Sequence, residues 1–99
     1  MSVDSQDEIE SLKRVGAVVA RTLRLMRDAA QAGMSTRELD EIGAAYLRSE
    51  GARSAPQLTY NFPGATCISV NHEVAHGIPG SRRLRAGDLV NVDVSAELD

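Results

Sequence analysis

At Ala52 the apolar residues of this chain stop recurring at three- and four-residue intervals and begin to alternate. A sequence that changes its hydrophobic period once, part-way along, calls for helices followed by strands. Upstream of that point Ser5 and Glu8 make a capping-box start. Ile9, Leu12, Val19, Leu23, Met26 and Ala30 then fall on one helical face, with Gly16 filling the gap in the stripe. Lys13, Arg14, Arg21, Arg24 and Arg27 lie mostly off that stripe and are expected in solvent, and Gly33 is expected to close the helix. A second capping box, Ser35 with Glu38, opens a shorter helix whose apolar face is Leu39, Ile42, Tyr46 and Leu47, with Gly51 as its end. The short Gly33-Met34-Ser35 connection predicts a helical hairpin.

Downstream, Cys67-Ile-Ser-Val reads as a strand and Val74-Ala-His76 as a short partner or loop edge. Asp88 to Leu98 reads as one longer strand entered from the Ala86-Gly87 turn, with Asp88 fixing that turn through its side chain. Strand alternation puts Val90, Val92, Val94, Ala96 and Leu98 on a core face. It puts Leu89, Asn91, Asp93, Ser95 and Glu97 on a polar face open to a site. The fold class is α+β, a helical hairpin followed by antiparallel strands, and residues 1–99 make one partial domain.

Composition narrows the function. A formal charge of −3 argues against nucleic acid as a direct partner, because phosphate binding needs a net basic face. Arg82, Arg83 and Arg85 cluster in an expected turn and read as a solvated loop. With one cysteine no internal disulfide can form, the acidic polar N-terminus is unlike a signal peptide, and no apolar run is long enough to span a membrane. The cytoplasm is the expected location. Only three aromatic residues are present, so the core is expected to be aliphatic.

Two segments carry the chemistry. Tyr60-Asn-Phe-Pro-Gly-Ala-Thr-Cys-Ile-Ser-Val-Asn71 is followed by His76-Gly-Ile-Pro79, and Gly87-Asp-Leu-Val-Asn-Val-Asp93-Val comes next. The second segment sets a carboxylate, Asp93, in an apolar strand, where it is expected to be buried and to need a partner such as a metal ion. Taken alone, Asp93 would be a structural strand aspartate, His76 a loop histidine bonded to backbone, and Cys67 a small buried hydrophobe. His72 and Glu73 read as solvated turn residues.

Together these segments resemble the type I methionine aminopeptidases of the M24 peptidase family, from about residue 7 to Asp99. The resemblance implies the N-terminal half of a pita-bread fold, whose two similar halves clasp a pair of divalent metals (Co, Mn, Fe or Zn) in the complete enzyme. It implies removal of the initiator methionine from nascent polypeptides whose second residue is small. By resemblance Asp93 matches a metal ligand, His76 a catalytic and substrate-binding histidine that is not a ligand, and Phe62 and Cys67 the lining of the methionine pocket. Two metals sharing a water acidify it towards hydroxide. A histidine can stabilise the charge that develops on the attacked amide, and a soft thioether suits Cys, Phe and aliphatic walls.

The sequence departs from the family pattern at Asn61, where Gly is common, and at Thr59, where an aromatic residue often stands. The family's second metal-binding Asp, its ligand His and its two Glu would all fall beyond Asp99. The 99-residue chain alone is therefore expected to be inactive, and the complete enzyme to be a monomer that meets nascent N-termini and the ribosome. Two alternatives stay open: a non-catalytic truncated module that binds nascent chains or the ribosome, and a gene fragment without function.

Overall fold

A computed structural model describes residues 6–55, 57, 64–71 and 77–98. Two helices, α1 (Gln6–Ala29) and α2 (Thr36–Ser49), precede four short strands: β1 (Ala52–Ser54), β2 (Cys67–Val70), β3 (Val90–Asp93) and β4 (Ala96–Leu98). The order is the α+β arrangement that the change of period at Ala52 dictates.

Helix α1 carries Asp7 and Glu8 in its first turn, where the positive end of the helix dipole favours acids. It buries Val18, Thr22 and Met26, one residue per turn, against α2. The Thr22 hydroxyl, fully enclosed, donates back to the Val18 carbonyl at 2.7 Å and so stays satisfied. Val19, Leu23 and Ala30 pack beside this row, whereas Ile9 and Leu12 are 37% and 45% exposed. The apolar stripe thus continues beyond the buried row formed by the described residues. The five basic residues of the helix are all exposed, as their positions require. Gly33 is not the end of α1. The helix stops at Ala29, and Gly33 (φ +91°) shapes the turn beyond it, where its N–H donates to the Leu84 carbonyl at 2.7 Å.

Helix α2 has both bonds of its capping box: the Glu38 N–H donates to Ser35 Oγ, and the Ser35 N–H donates to Glu38 Oε1. Gly51 (φ +70°) follows the last helical turn, as the sequence indicates. The N-terminus of α2 also receives a later stretch of chain. The Arg37 N–H donates to the Gly80 carbonyl, the Thr36 N–H donates to the Arg82 carbonyl, and Leu84 exchanges backbone bonds with the Gly33–Met34 turn. Arg83 reaches the Gly33 carbonyl and lies 3.5 Å from Glu38.

The strands form two antiparallel pairs, β1 with β4 and β2 with β3. The single strand expected over Asp88–Leu98 is broken between Asp93 and Ala96, and its halves pair with different partners. Val94 turns into the core, and the Ser95 carbonyl accepts from the Ala55 N–H, so the chain crosses from β2 to β1 without losing its alternation. Val94 is buried and Val90, Val92 and Ala96 are half-buried, while Leu89, Asn91, Asp93, Ser95 and Glu97 are exposed. The core joins Val18, Met26, Leu39, Leu47, Ala52, Ile68, Val70, Leu84 and Val94, all aliphatic or methionine. A side chain such as Leu39, wholly removed from water, contributes about 1.5–3 kcal/mol of hydrophobic stabilisation.

Candidate active site

The β2–β3 pair has two unlike faces. Ile68 and Val70 point inward and are buried, and they stand opposite Val92 and Val90. Cys67 and Ser69 point the other way, opposite Asp93 and Asn91. Directly opposed residues of an antiparallel pair share a face, with Cβ atoms about 4.5–5.5 Å apart. The fold therefore brings together two of the four site residues marked by the sequence, Cys67 and Asp93. Phe62 and His76 lie outside the described residues, as do Thr59, Asn61, His72, Glu73 and the strand expected at Val74–His76.

Asp93 is exposed, as the alternation of the strand predicts and contrary to the expectation that its apolar neighbours bury it. Those neighbours, Val92 and Val94, project to the opposite face, and a strand aspartate needs no buried partner when alternation carries it to the surface. Cys67 is half-buried with a free thiol. Burial, then the charge of Asp93, then that of Asp40 raise its pKa above the ordinary 9.0, so the sulfur is a protonated, weakly polar wall at neutral pH.

The residue that follows His76 is fixed against this face. Gly77 holds φ at +63°, and its carbonyl accepts the Ile68 N–H at 2.7 Å. A Cβ there would stand 3.0 Å from Ile68 N, 3.0 Å from Ser69 Oγ and 3.2 Å from Cys67 Cβ. Only glycine combines that left-handed backbone with so close an approach. The glycine of His-Gly-Ile-Pro is therefore what seats this segment on β2.

Sequence reasoning missed four residues that build the site. Asp40, Thr66 and Thr36 are buried polar residues, and each is bonded to a segment that leads into the face. Thr36 Oγ1 accepts the Gly80 N–H at 2.8 Å and holds the end of the Gly77–Gly80 stretch. Asn71 closes β2 at the other end. The signal for Thr36 and Asp40 was present: with Gly43 and Leu47 they recur at helical spacing, a row that the structure buries.

Among the described residues no three His, Cys, Asp or Glu lie together as a cation-binding group. Asp93 offers one carboxylate, and hard divalent ions need several oxygen or nitrogen donors. The described residues therefore do not fit a metal centre by themselves. No helix among them is long and apolar enough to cross a membrane.

Known proteins of similar shape and sequence place the chain. Residues 10–99 match the model of metallopeptidase family M24. The chain is 56% identical over 98 residues to methionine aminopeptidase 2 of Bacillus subtilis (strain 168), covering 98% of this chain and 39% of that protein. It is 52% identical over 96 residues to a methionine aminopeptidase of Staphylococcus epidermidis, covering 97% of this chain and 38% of that protein. The crystal structure of a methionine aminopeptidase from Thermotoga maritima superposes with a TM-score of 0.90 at 30% identity, over 99% of this chain and 40% of that one. Prolidase from Pyrococcus furiosus, at 20% identity and a TM-score of 0.80, shares the fold. The architecture is thus a partial pita-bread fold, and the chain belongs to metallopeptidase family M24. It spans about two-fifths of the length of the curated relatives it matches, 39% of the first and 38% of the second.

Proposed function

We propose that this chain contributes part of the catalytic domain of a metal-dependent aminopeptidase that removes the initiator methionine from polypeptides with a small second residue. The observation that carries the reading is the pairing of Cys67 with Asp93 on the outward face of β2–β3, with the chain next to His76 seated on the same strand by Gly77. The named relatives supply the activity with which that face is consistent. In this reading Cys67, together with Phe62, lines the pocket for the methionine thioether, which a protonated sulfur and an aromatic ring suit better than a charged lining. Asp93 supplies one oxygen ligand to a pair of divalent ions (Co, Mn, Fe or Zn), whose role when bound is to lower the pKa of a shared water. His76 hydrogen-bonds the scissile amide. The N-termini of nascent chains and the ribosome are the partners, the complete enzyme acts as a monomer, and the cytoplasm is its place.

Asp93 is the one carboxylate that β2 and β3 place on the outward face, and no cation-binding group forms around it among the described residues. This favours a second reading for the 99 residues alone, a module that binds nascent chains without cleaving them. A fusion separates the two readings. Asp99 is followed by the remaining length of the Bacillus subtilis relative, and methionine release from Met-Ala-Ser is measured with each of the four metals. The expected result is metal-dependent release by the fusion, none by the chain alone, and a fall of at least about 100-fold in the fusion on Asp93→Ala, more than loss of an outer-shell partner costs. A folded fusion that releases no methionine with any metal sinks the aminopeptidase reading. Chelator-insensitive binding of the peptide by the chain alone then supports the module.

A further inference from the structure

We infer that Asp40 is a positioning residue that sets the register of the candidate site from inside α2. The residue is 7% exposed, and three hydrogen bonds converge on its carboxylate: Ala65 N–H to Oδ2 at 3.2 Å, Thr66 N–H to Oδ1 at 2.7 Å, and Thr66 Oγ1–H to Oδ1 at 2.7 Å. All three donors belong to the two residues immediately before Cys67. The same turn is gripped from its other side, where Ser54 Oγ donates to the Ala65 carbonyl at 2.8 Å and ties in the β1–β4 sheet. Gly64 completes the junction, since a Cβ there would fall 2.8 Å from the Pro79 ring and 3.4 Å from Asp40 Oδ2. The Asp40 carboxylate therefore lies near the junction of α2, the start of β2 and the Pro79 end of His-Gly-Ile-Pro.

Register is what this junction controls. A slip of one residue along a strand turns every side chain to the other face. Moving the start of β2 by one position would take Cys67 off the face of Asp93 and bring Ile68 out of the core. The hydrophobic pairing of Ile68 and Val70 resists such a slip, and the Asp40 bonds resist it at the strand's entry. The role of Asp40 at the site rests on the aminopeptidase reading, whereas its effect on the strand register does not.

The test is amide hydrogen exchange on the full chain, read at Thr66, Cys67, Ser69 and Asp93. Asp40→Asn and Thr66→Val are compared with Leu47→Ala, a substitution on the same helix that weakens the core but touches none of these bonds, under conditions that match global stability. Exchange at the four amides is expected to be about tenfold faster in the first two variants than in the control, because the opening is local. Thr66→Ser, which keeps the hydroxyl, restores slow exchange. Thr66→Val leaves the Asp40 charge in place, so the comparison stands even where Asp40→Asn does not fold. Equal exchange in the matched control, or equal effects of Thr66→Val and Thr66→Ser, would overturn the inference and leave Asp40 as a core stabiliser only. Methionine release by the fusion is scored separately, so the two readings fail independently.

Discussion

Asn71 holds φ at +57° at the end of β2, in the left-handed region that costs most side chains about 1–2 kcal/mol and that Gly, Asn and Asp tolerate best. Its amide group brackets the chain entering β3: Nδ2 donates to Asp88 Oδ1 at 3.0 Å, and Oδ1 accepts the Leu89 N–H at 2.9 Å. Asp88 in turn accepts the Arg85 N–H, which is the turn-fixing role that its place after Gly87 foretells. The Asn71 amide, then the Arg85 N–H, hold the Asp88 carboxyl below its ordinary 3.8. A depressed carboxyl pKa contributes stability that is present above the unfolded value and lost as pH falls through the folded one. The thermal midpoint is therefore expected to drop as pH is lowered below 3.8, and the drop should shrink in Asp88→Asn. Identical acid profiles for the two proteins would remove Asp88 from the account. At Asn71, substitution by Ala loses both the tolerant backbone and the bracket and is expected to cost about 1–2 kcal/mol. Asn71→Gly keeps the backbone and costs less, and urea unfolding that ranks the two in the opposite order would contradict this picture.

At the scale of the elements, α2 is the part most legible from sequence, because its signals are local. The capping box and the terminal glycine each act within a few residues, and both appear where the spacing puts them. Ser35→Ala should lower stability by about 1 kcal/mol, the ordinary value of a lost N-cap, measured by urea unfolding with α-helical circular dichroism as the signal. A change near zero would mean that the Gly80 and Arg82 carbonyls, which accept the Arg37 and Thr36 N–H groups of the same turn, hold this helix end without the Ser35–Glu38 bond. The β3–β4 break was not legible. Alternation runs unbroken through Val94 and Ser95, and nothing in a period-two pattern says which partner a strand will find. The end of α1 was misplaced for a related reason. Gly33 is a turn glycine by conformation, but the Leu84 carbonyl that it meets lies far along the chain. Asp40 escaped notice because a charged helix residue reads as solvated unless its row is compared with that of Thr36, Gly43 and Leu47.

For the molecule as a whole, the candidate site divides along the same line. The motif residues stand out one by one in the sequence as expectations, and the register that sets Cys67 opposite Asp93 came only from the fold. The exposure of Asp93 has a thermodynamic consequence. A ligand that binds the folded state alone stabilises it by RT ln(1 + [L]/Kd), about 2.7 kcal/mol at a hundredfold excess over Kd. One solvated carboxylate cannot hold a divalent ion that tightly. The melting temperature of the 99-residue chain should therefore be the same in excess Mn, Co, Fe or Zn as in chelator. In the fusion with the remainder of the Bacillus subtilis relative, the same metals should raise it by several degrees, about 2–4 °C per kcal/mol for a domain of that size. Asp93→Ala should abolish the rise if the carboxylate is a ligand. A metal-dependent rise in the 99-residue chain alone would mean that its own residues complete a site around Asp93, and the chain would then have to be treated as a metal-binding unit in its own right.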